Sequence, residues 1–372
     1  MRNFIEAGNV SFAPHGKTTM SPDLFDLQLA DGAWAITVST PHQIQVARQF
    51  GHQRIFLANQ LVGRSAIEYV VAEMRADSEF QIWCLVDSVD NVDQLARAVR
   101  DAGNTRTLAV LVEMGYEGGR TGCRSATEGM RVARAVAANP DTLALCGIEG
   151  FEGLLRGSTP AESVAAVEAF LDTVSGFARM CEAEGLLSVT PIILSAGGST
   201  YFDLVVKKFT SAGLSRATRI VLRSGCYLTH DSLMYAVAFD RIRERSAQVA
   251  AMGTGLRPAI EVWAYVQSRP EERLAIVALG KRDVSYDEPP LPIAWYRPAG
   301  SLQRPFPMPD SHHVTRLNDQ HCYLRIPADS PLRVGDMIGF GISHPCLTFD
   351  KWRVLHKVDA DYNVVGSLRT YF

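Results

Sequence analysis

Eight short apolar runs, each followed by a stretch of helical character, constrain this chain more than any other feature. The runs are 9–14, 33–40, 54–60, 81–88, 108–115, 143–150, 190–197 and 219–226. Continuous rather than alternating apolarity marks strands buried on both faces, as a parallel sheet requires. Amphipathic stretches lie between them, at 63–76, 89–101 and 160–185 among others. Val92, Leu95, Ala96 and Val99 recur there at helical spacing, Pro160 suits a first helical turn and Gly185 a helix end. Eight βα units predict an α/β fold closed as a (β/α)8 TIM barrel of about 250 residues. An open doubly wound sheet is the alternative, but no G-x-G-x-x-G follows the first strand.

The chain has 372 residues, so a barrel leaves a remainder, and after about residue 250 the rhythm changes. Segments 259–268, 274–284, 312–326, 337–343 and 352–367 read as strands without long helices between them, and Pro-rich 289–309 reads as a loop or edge region. The expected division is a barrel over 1–248 and a C-terminal β-rich domain over 249–372. A net charge of −3 with no basic run argues against nucleic acid as a partner. No window is long and apolar enough for a membrane span or a signal peptide. Seven scattered cysteines without a CxxC pair fit free thiols in a reducing cytoplasm.

In a barrel the residues just after each strand gather at one mouth, which carries the active site. Those residues are His15 and Lys17; Ser39 and Thr40; Asn59 and Gln60; Asp87 and Ser88; Glu113; Glu149 and Glu152; Ser195, Gly197, Gly198 and Ser199; and Arg223, Ser224 and Gly225. Ser39, Thr40 and Ser88 each precede a helix and suit caps. Lys17, in APHGKTT, is either a solvated surface charge or an amine whose lowered pKa suits a Schiff base. SAGGST (195–200) and RSGCY (223–227) are Gly-rich turns after strands seven and eight, where barrels commonly bind phosphate through backbone N–H groups and helix N-termini. In His344-Pro345-Cys346, residues two apart on a strand would point to one face, and imidazole with thiolate suits Zn²⁺. His312, His313 and His321 are further candidates, His321 within an alternating strand.

Together these residues resemble the fold-type III pyridoxal-phosphate (PLP) enzymes of the alanine racemase-like fold, in the D-serine dehydratase and D-threonine aldolase branch. PHGKT (14–18), EMGYEGGRTGCR (113–124), GIEGFEG (147–153), SAGGST, RSGCY, GKRDVSYD (280–287) and SHPC (343–346) are similar to that branch's motifs over nearly the whole chain. The resemblance implies Lys17 as Schiff-base lysine and His15, Gln60, Arg120 and Thr121 near the cofactor. It implies Gly197, Gly198, Ser199, Gly225 and Cys226 at the phosphate, and His344 with Cys346 at zinc, with Mn²⁺ as the other metal. It also implies a homodimer. Three features depart from the pattern: Phe151 stands where a tyrosine is usual, Gln320-His321-Cys322 replaces E-H-G, and only sixteen residues precede Lys17. The last reads either as a start lying upstream or as a shortened strand.

The resemblance implies dehydration of a D-β-hydroxy amino acid, such as D-serine or D-threonine, to a 2-oxo acid and ammonia. Lys17 would take the Cα proton, the cofactor would accept the electrons, and zinc would activate the β-hydroxyl. Retro-aldol cleavage to glycine and an aldehyde is the alternative; in this branch aldolases tend to pair His with Asp rather than Cys. A racemase would need a second acid, for which Tyr265 is the candidate, and a non-catalytic PLP-binding protein would lack the second domain.

Overall fold

A computed structural model describes residues 1–298 and 304–372. The chain divides into two compact units, Met1–Lys17 with Phe25–Gly225, and Thr18–Leu24 with Cys226–Phe372. The boundary expected at 248 thus falls after Gly225. The segment that follows hydrogen-bonds to residues flanking the second unit's strands instead: Ser232 N donates to Ile342 O and Ala259 N to Thr229 O.

In the first unit all eight expected strands form: β1 Ser11–Phe12, β2 Ile36–Val38, β3 Arg54–Gln60, β4 Gln81–Val86, β5 Leu108–Met114, β6 Leu143–Gly150, β7 Ile192–Ala196 and β8 Thr218–Leu222. They make one parallel sheet in the order β1-β8-β7-β6-β5-β4-β3-β2. Its edges are joined by a parallel bridge between His15 and Thr37 and by Trp34 N donating to Phe12 O, so the sheet closes. One buried cluster takes a residue from each strand or its flank: Ala13, Ala35, Phe56, Leu85, Leu111, Cys146, Ile193 and Val221. This is the filled interior of a small barrel, and burying Phe56 alone contributes about 2–3 kcal/mol.

Helices follow the strands, and their starts obey the capping chemistry. Thr40 and Ser88 accept from Gln43 N and Asn91 N, as do Ser125 and Thr159 from Glu128 N and Glu162 N. Ser39 is not a cap; its hydroxyl lies 3.2 Å from His15 Nε2. A helix at Arg2–Gly8, not legible in the sequence, precedes β1.

The second unit holds an antiparallel sheet of β9 Glu261–Glu271, β10 Leu274–Val277, β11 Leu291–Tyr296, β12 Phe306–Pro307, β13 His313–Leu317, β14 Cys322–Arg325 and β15 Met337–Gly341. Its order is β12-β11-β15-β9-β10-β14-β13. Val262, Ala264 and Val266 alternate inward along β9 against Ala275, Ile338 and Phe340, as one-faced burial requires. A separate hairpin joins β16 Val354–Val358 to β17 Val364–Arg369. Segments 312–326 and 352–367, expected as single strands, are therefore each two strands around a turn. The loop expected over 289–309 contains β11 and β12, with Pro292 beside a bulge and Pro307 on the edge strand, where a missing N–H is tolerated. The remainder of that expectation, 299–303, lies outside the described residues. Among the described residues no helix is long and apolar enough to cross a membrane.

Candidate functional site

The C-terminal ends of the barrel strands carry a dense polar constellation. After β1 the chain turns through a short 3₁₀ segment, Gly16–Thr18, that leaves Lys17 half-buried. Gly16 is required there: a Cβ would come within 2.8 Å of Phe25 and 2.9 Å of Ile36. His15 Nδ1 is buried with no hydrogen-bond partner among the described residues. Burial, and then the positive charges of Lys17 and Arg223, hold this imidazole well below its usual pKa, so it is neutral.

Gln60 and Thr121 meet on one carboxylate. Gln60 Nε2 donates to Glu113 Oε2 at 2.6 Å and Thr121 Oγ1 to Glu113 Oε1 at 2.8 Å. Arg124 winds the loop that carries Thr121, donating to the carbonyls of Gly119, Arg120, Thr121 and Gly122. Arg120 lies 4.4 Å over the Phe151 ring, so the phenylalanine that departs from the motif serves as a platform for the guanidinium.

Two further carboxylates, Glu149 and Glu152, are almost fully buried beside Arg223, which pairs with Glu149 and donates to Ser195 Oγ at 2.9 Å. Burial raises Glu149 to about 8 against the pull of Arg223, and burial raises Glu113 and Glu152 as well. The unfolded chain releases the Glu149 proton near pH 4.5, whereas the folded chain keeps it to about 8. Stability from this group therefore falls as pH rises through that window, by up to about 1.4 kcal/mol per pH unit. Glu149→Gln should remove that slope, so that urea unfolding from pH 5 to 8 shows the variant gaining on the parent as pH rises. Parallel curves would contradict the assignment.

The two glycine turns meet, because Ser224 Oγ donates to the carbonyl of Gly198 at 3.0 Å. Gly197 N–H donates to Glu152 Oε2 at 3.3 Å, and a Cβ on Gly198 would overlap Glu152 Oε1. The SAGGST turn thus has the shape to grip an anion, and one of its donors, Gly197 N–H, faces the Glu152 carboxyl. Ser199 is half-buried just before the helix Phe202–Thr210, and Gly225 ends the first unit. Buried unpaired atoms at Glu149 Oε2, Glu152 Oε1 and His15 Nδ1 mark a mouth that accommodates a polar occupant. With Lys17 and an anion-binding turn, these residues fit PLP.

The second unit brings His344 and Cys346 together, but not through strand alternation. β15 ends at Gly341, and Pro345, in helical conformation, caps the short helix Cys346–Phe349. The pair sits at a loop-to-helix turn rather than on the expected strand. His344 Nδ1 lies 2.6 Å from Asp287 Oδ2, which leaves Nε2 for a metal. Thr18 Oγ1 lies 3.3 Å from Cys346 Sγ. Cys226, expected to hold the phosphate through backbone or side-chain atoms, places its Sγ 3.7 Å from Cys346 Sγ. The ligand atoms of Cys226, His344 and Cys346 all lie within 4.8 Å of one another. Cys226, then His344 and Thr18, hold the Cys346 thiol well below its usual pKa, while Cys346 pushes Cys226 well above. Burial lowers His344, but Cys346 and Asp287 outweigh it and raise the imidazole to about 9. This donor set fits zinc. The other histidines are elsewhere: His312 is buried on Ser330 at 2.8 Å, and His313 and His321 are exposed, His321 in the β13–β14 turn rather than a strand. Asp287 and Cys226 were the missed members. Both lay inside quoted motifs, where only their spacing to unknown neighbours could have assigned them.

Residues 259–358 match the family model described as "Putative serine dehydratase domain". A search of curated proteins by sequence finds no match. Among solved structures, D-threonine aldolase from Filomicrobium marinum superimposes with a TM-score of 0.80 at 22% identity, covering 100% of this chain and 90% of that one. D-threo-3-hydroxyaspartate dehydratase from Delftia sp. HT23 gives 0.72 at 19%, covering 100% and 92%. An alanine racemase-like protein from Idiomarina loihiensis gives 0.69 at 16%, covering 99% and 91%. That dehydratase is also known as a cysteine-to-alanine mutant in a metal-free form. In fold the chain is similar to the alanine racemase-like proteins, and its residues 259–358 match the putative serine dehydratase domain.

Proposed function

We propose that this protein is a PLP- and zinc-dependent lyase that dehydrates D-β-hydroxy amino acids, D-serine or D-threonine, to a 2-oxo acid and ammonia. The observation that carries the reading is the convergence of His344 and Cys346, with Asp287 bracing the imidazole, because a racemase has no use for a metal pair. That the similar dehydratase is described in a metal-free form supports a metal in that enzyme.

The first unit provides the cofactor-binding residues. Lys17 would hold the cofactor's aldehyde carbon; Gly197, Gly198, Ser199 and Gly225 would hold its phosphate; His15, Gln60, Arg120 and Thr121 would surround it. Bound there, PLP supplies an electron sink at the substrate's Cα, and zinc supplies a Lewis acid for the β-hydroxyl. Lys17 Nζ takes the Cα proton. His15 is held neutral there, so it adds no charge beside that amine. Arg223, held between Glu149 and Ser195, keeps the floor of the mouth rigid.

Retro-aldol cleavage is the second reading, favoured by the 0.80 superposition on a D-threonine aldolase. Product analysis with D-threonine separates the two. 2-Oxobutanoate with ammonia is expected, whereas glycine with acetaldehyde would replace the dehydratase by the aldolase. The reading also carries a homodimer, to be checked by sedimentation.

A further inference from the structure

We propose that Cys226 is a third protein ligand of the metal, making the centre a two-cysteine, one-histidine zinc site with one open position. This deepens the reading above and rests on its metal pair.

The separation of the sulfurs carries the argument. Two thiolates bound to one zinc at about 2.3 Å, at the tetrahedral angle, stand about 3.8 Å apart. Cys226 Sγ and Cys346 Sγ are 3.7 Å apart. A disulfide would bring them to about 2.05 Å, and both cysteines are free. His344 completes the triangle, with all three ligand atoms within 4.8 Å of one another. The imidazole is aimed by its bond to Asp287, the outer partner that metal-binding histidines usually have.

A buried cysteine is more often a small apolar core residue, and Cys84, Cys146, Cys181 and Cys322 fit that description. Cys226 differs in its company. Among the described residues, its group is the single gathering of three potential ligand atoms from His, Cys, Asp and Glu. Its backbone is also fixed, since His230 N donates to Cys226 O at 2.8 Å.

The consequence is metal selectivity. Three protein ligands with a fourth position open is the arrangement of catalytic zinc sites, and the open position suits a substrate hydroxyl. Two thiolates disfavour Mg²⁺ and Mn²⁺, which prefer oxygen ligands. Zinc rather than manganese is therefore the metal of this chain.

Zinc K-edge absorption spectroscopy of the full chain, loaded with PLP and one equivalent of zinc, counts sulfur neighbours directly. Two sulfurs at about 2.3 Å are expected. Cys226→Ser should lose one of them and weaken zinc in chelator competition by at least about 100-fold, beyond the usual effect of an outer partner. It should also narrow the preference for zinc over Mn²⁺. Circular dichroism shows whether the variant has kept its fold, and the parent spectrum stands without it. One sulfur in the parent would overturn the third ligand and leave the His344–Cys346 pair intact. No zinc retained at all would overturn both.

Discussion

Lys17→Ala should leave the barrel folded, abolish the visible absorbance that a lysine-bound PLP gives, and reduce turnover by at least about 10⁴-fold. On the proposed reading the variant loses the covalent anchor and the base for the Cα proton in one step, and acid–base catalysis alone contributes 10²–10⁴-fold. The fold should survive because Lys17 sits in a half-buried turn rather than in the core, and the positions around it are fixed by others. Gly16 packs against Phe25 and Ile36, and the backbone of Thr37 donates to Pro14 O. Absorbance and far-ultraviolet circular dichroism on the same sample check both halves. Retained absorbance in the variant would move the anchor to another amine.

Cys346→Ala should have the second largest effect, a loss of about 10³-fold that added zinc does not restore, with the PLP absorbance unchanged. The magnitude corresponds to the several kcal/mol that a Lewis acid contributes to a developing charge. Separate readouts are expected because Cys346 belongs to the second unit, whereas Lys17, the SAGGST turn and Gly225 belong to the first. Metal content measured on the variant should fall with the activity. Full activity without zinc would remove the metal from the reaction.

The barrel was legible because its strands are buried on both faces, and continuous apolar runs such as 108–115 and 143–150 have few other uses. The second unit was less so. Its strands bury one face, and a turn within 312–326 shows only as Asn318-Asp319, which polar strand residues on either side conceal. β11 hid in a Pro-rich stretch because Pro292 sits at a bulge, where the usual penalty lapses.

Among the chemical residues, Lys17, the glycine turns and His344 with Cys346 could be named from local motifs. Their surroundings could not. Glu113 joins Gln60 to Thr121 across 53 and 8 residues of chain, and Asp287 reaches His344 across 57. Cys226 read as part of a phosphate turn because it follows Gly225, but its side chain leaves the turn for Cys346, 120 residues away. Partnerships of that span are set by the tertiary fold of each unit, and no local pattern carries them.

The central claim is tested most directly by following 2-oxo acid and ammonia from the purified protein with PLP and zinc, supplied with D-serine and L-serine in turn. Pyruvate and ammonia in equal amounts from the D-form alone are expected. Interconversion of the two serines with no pyruvate would contradict the account and return the chain to the racemases of its fold.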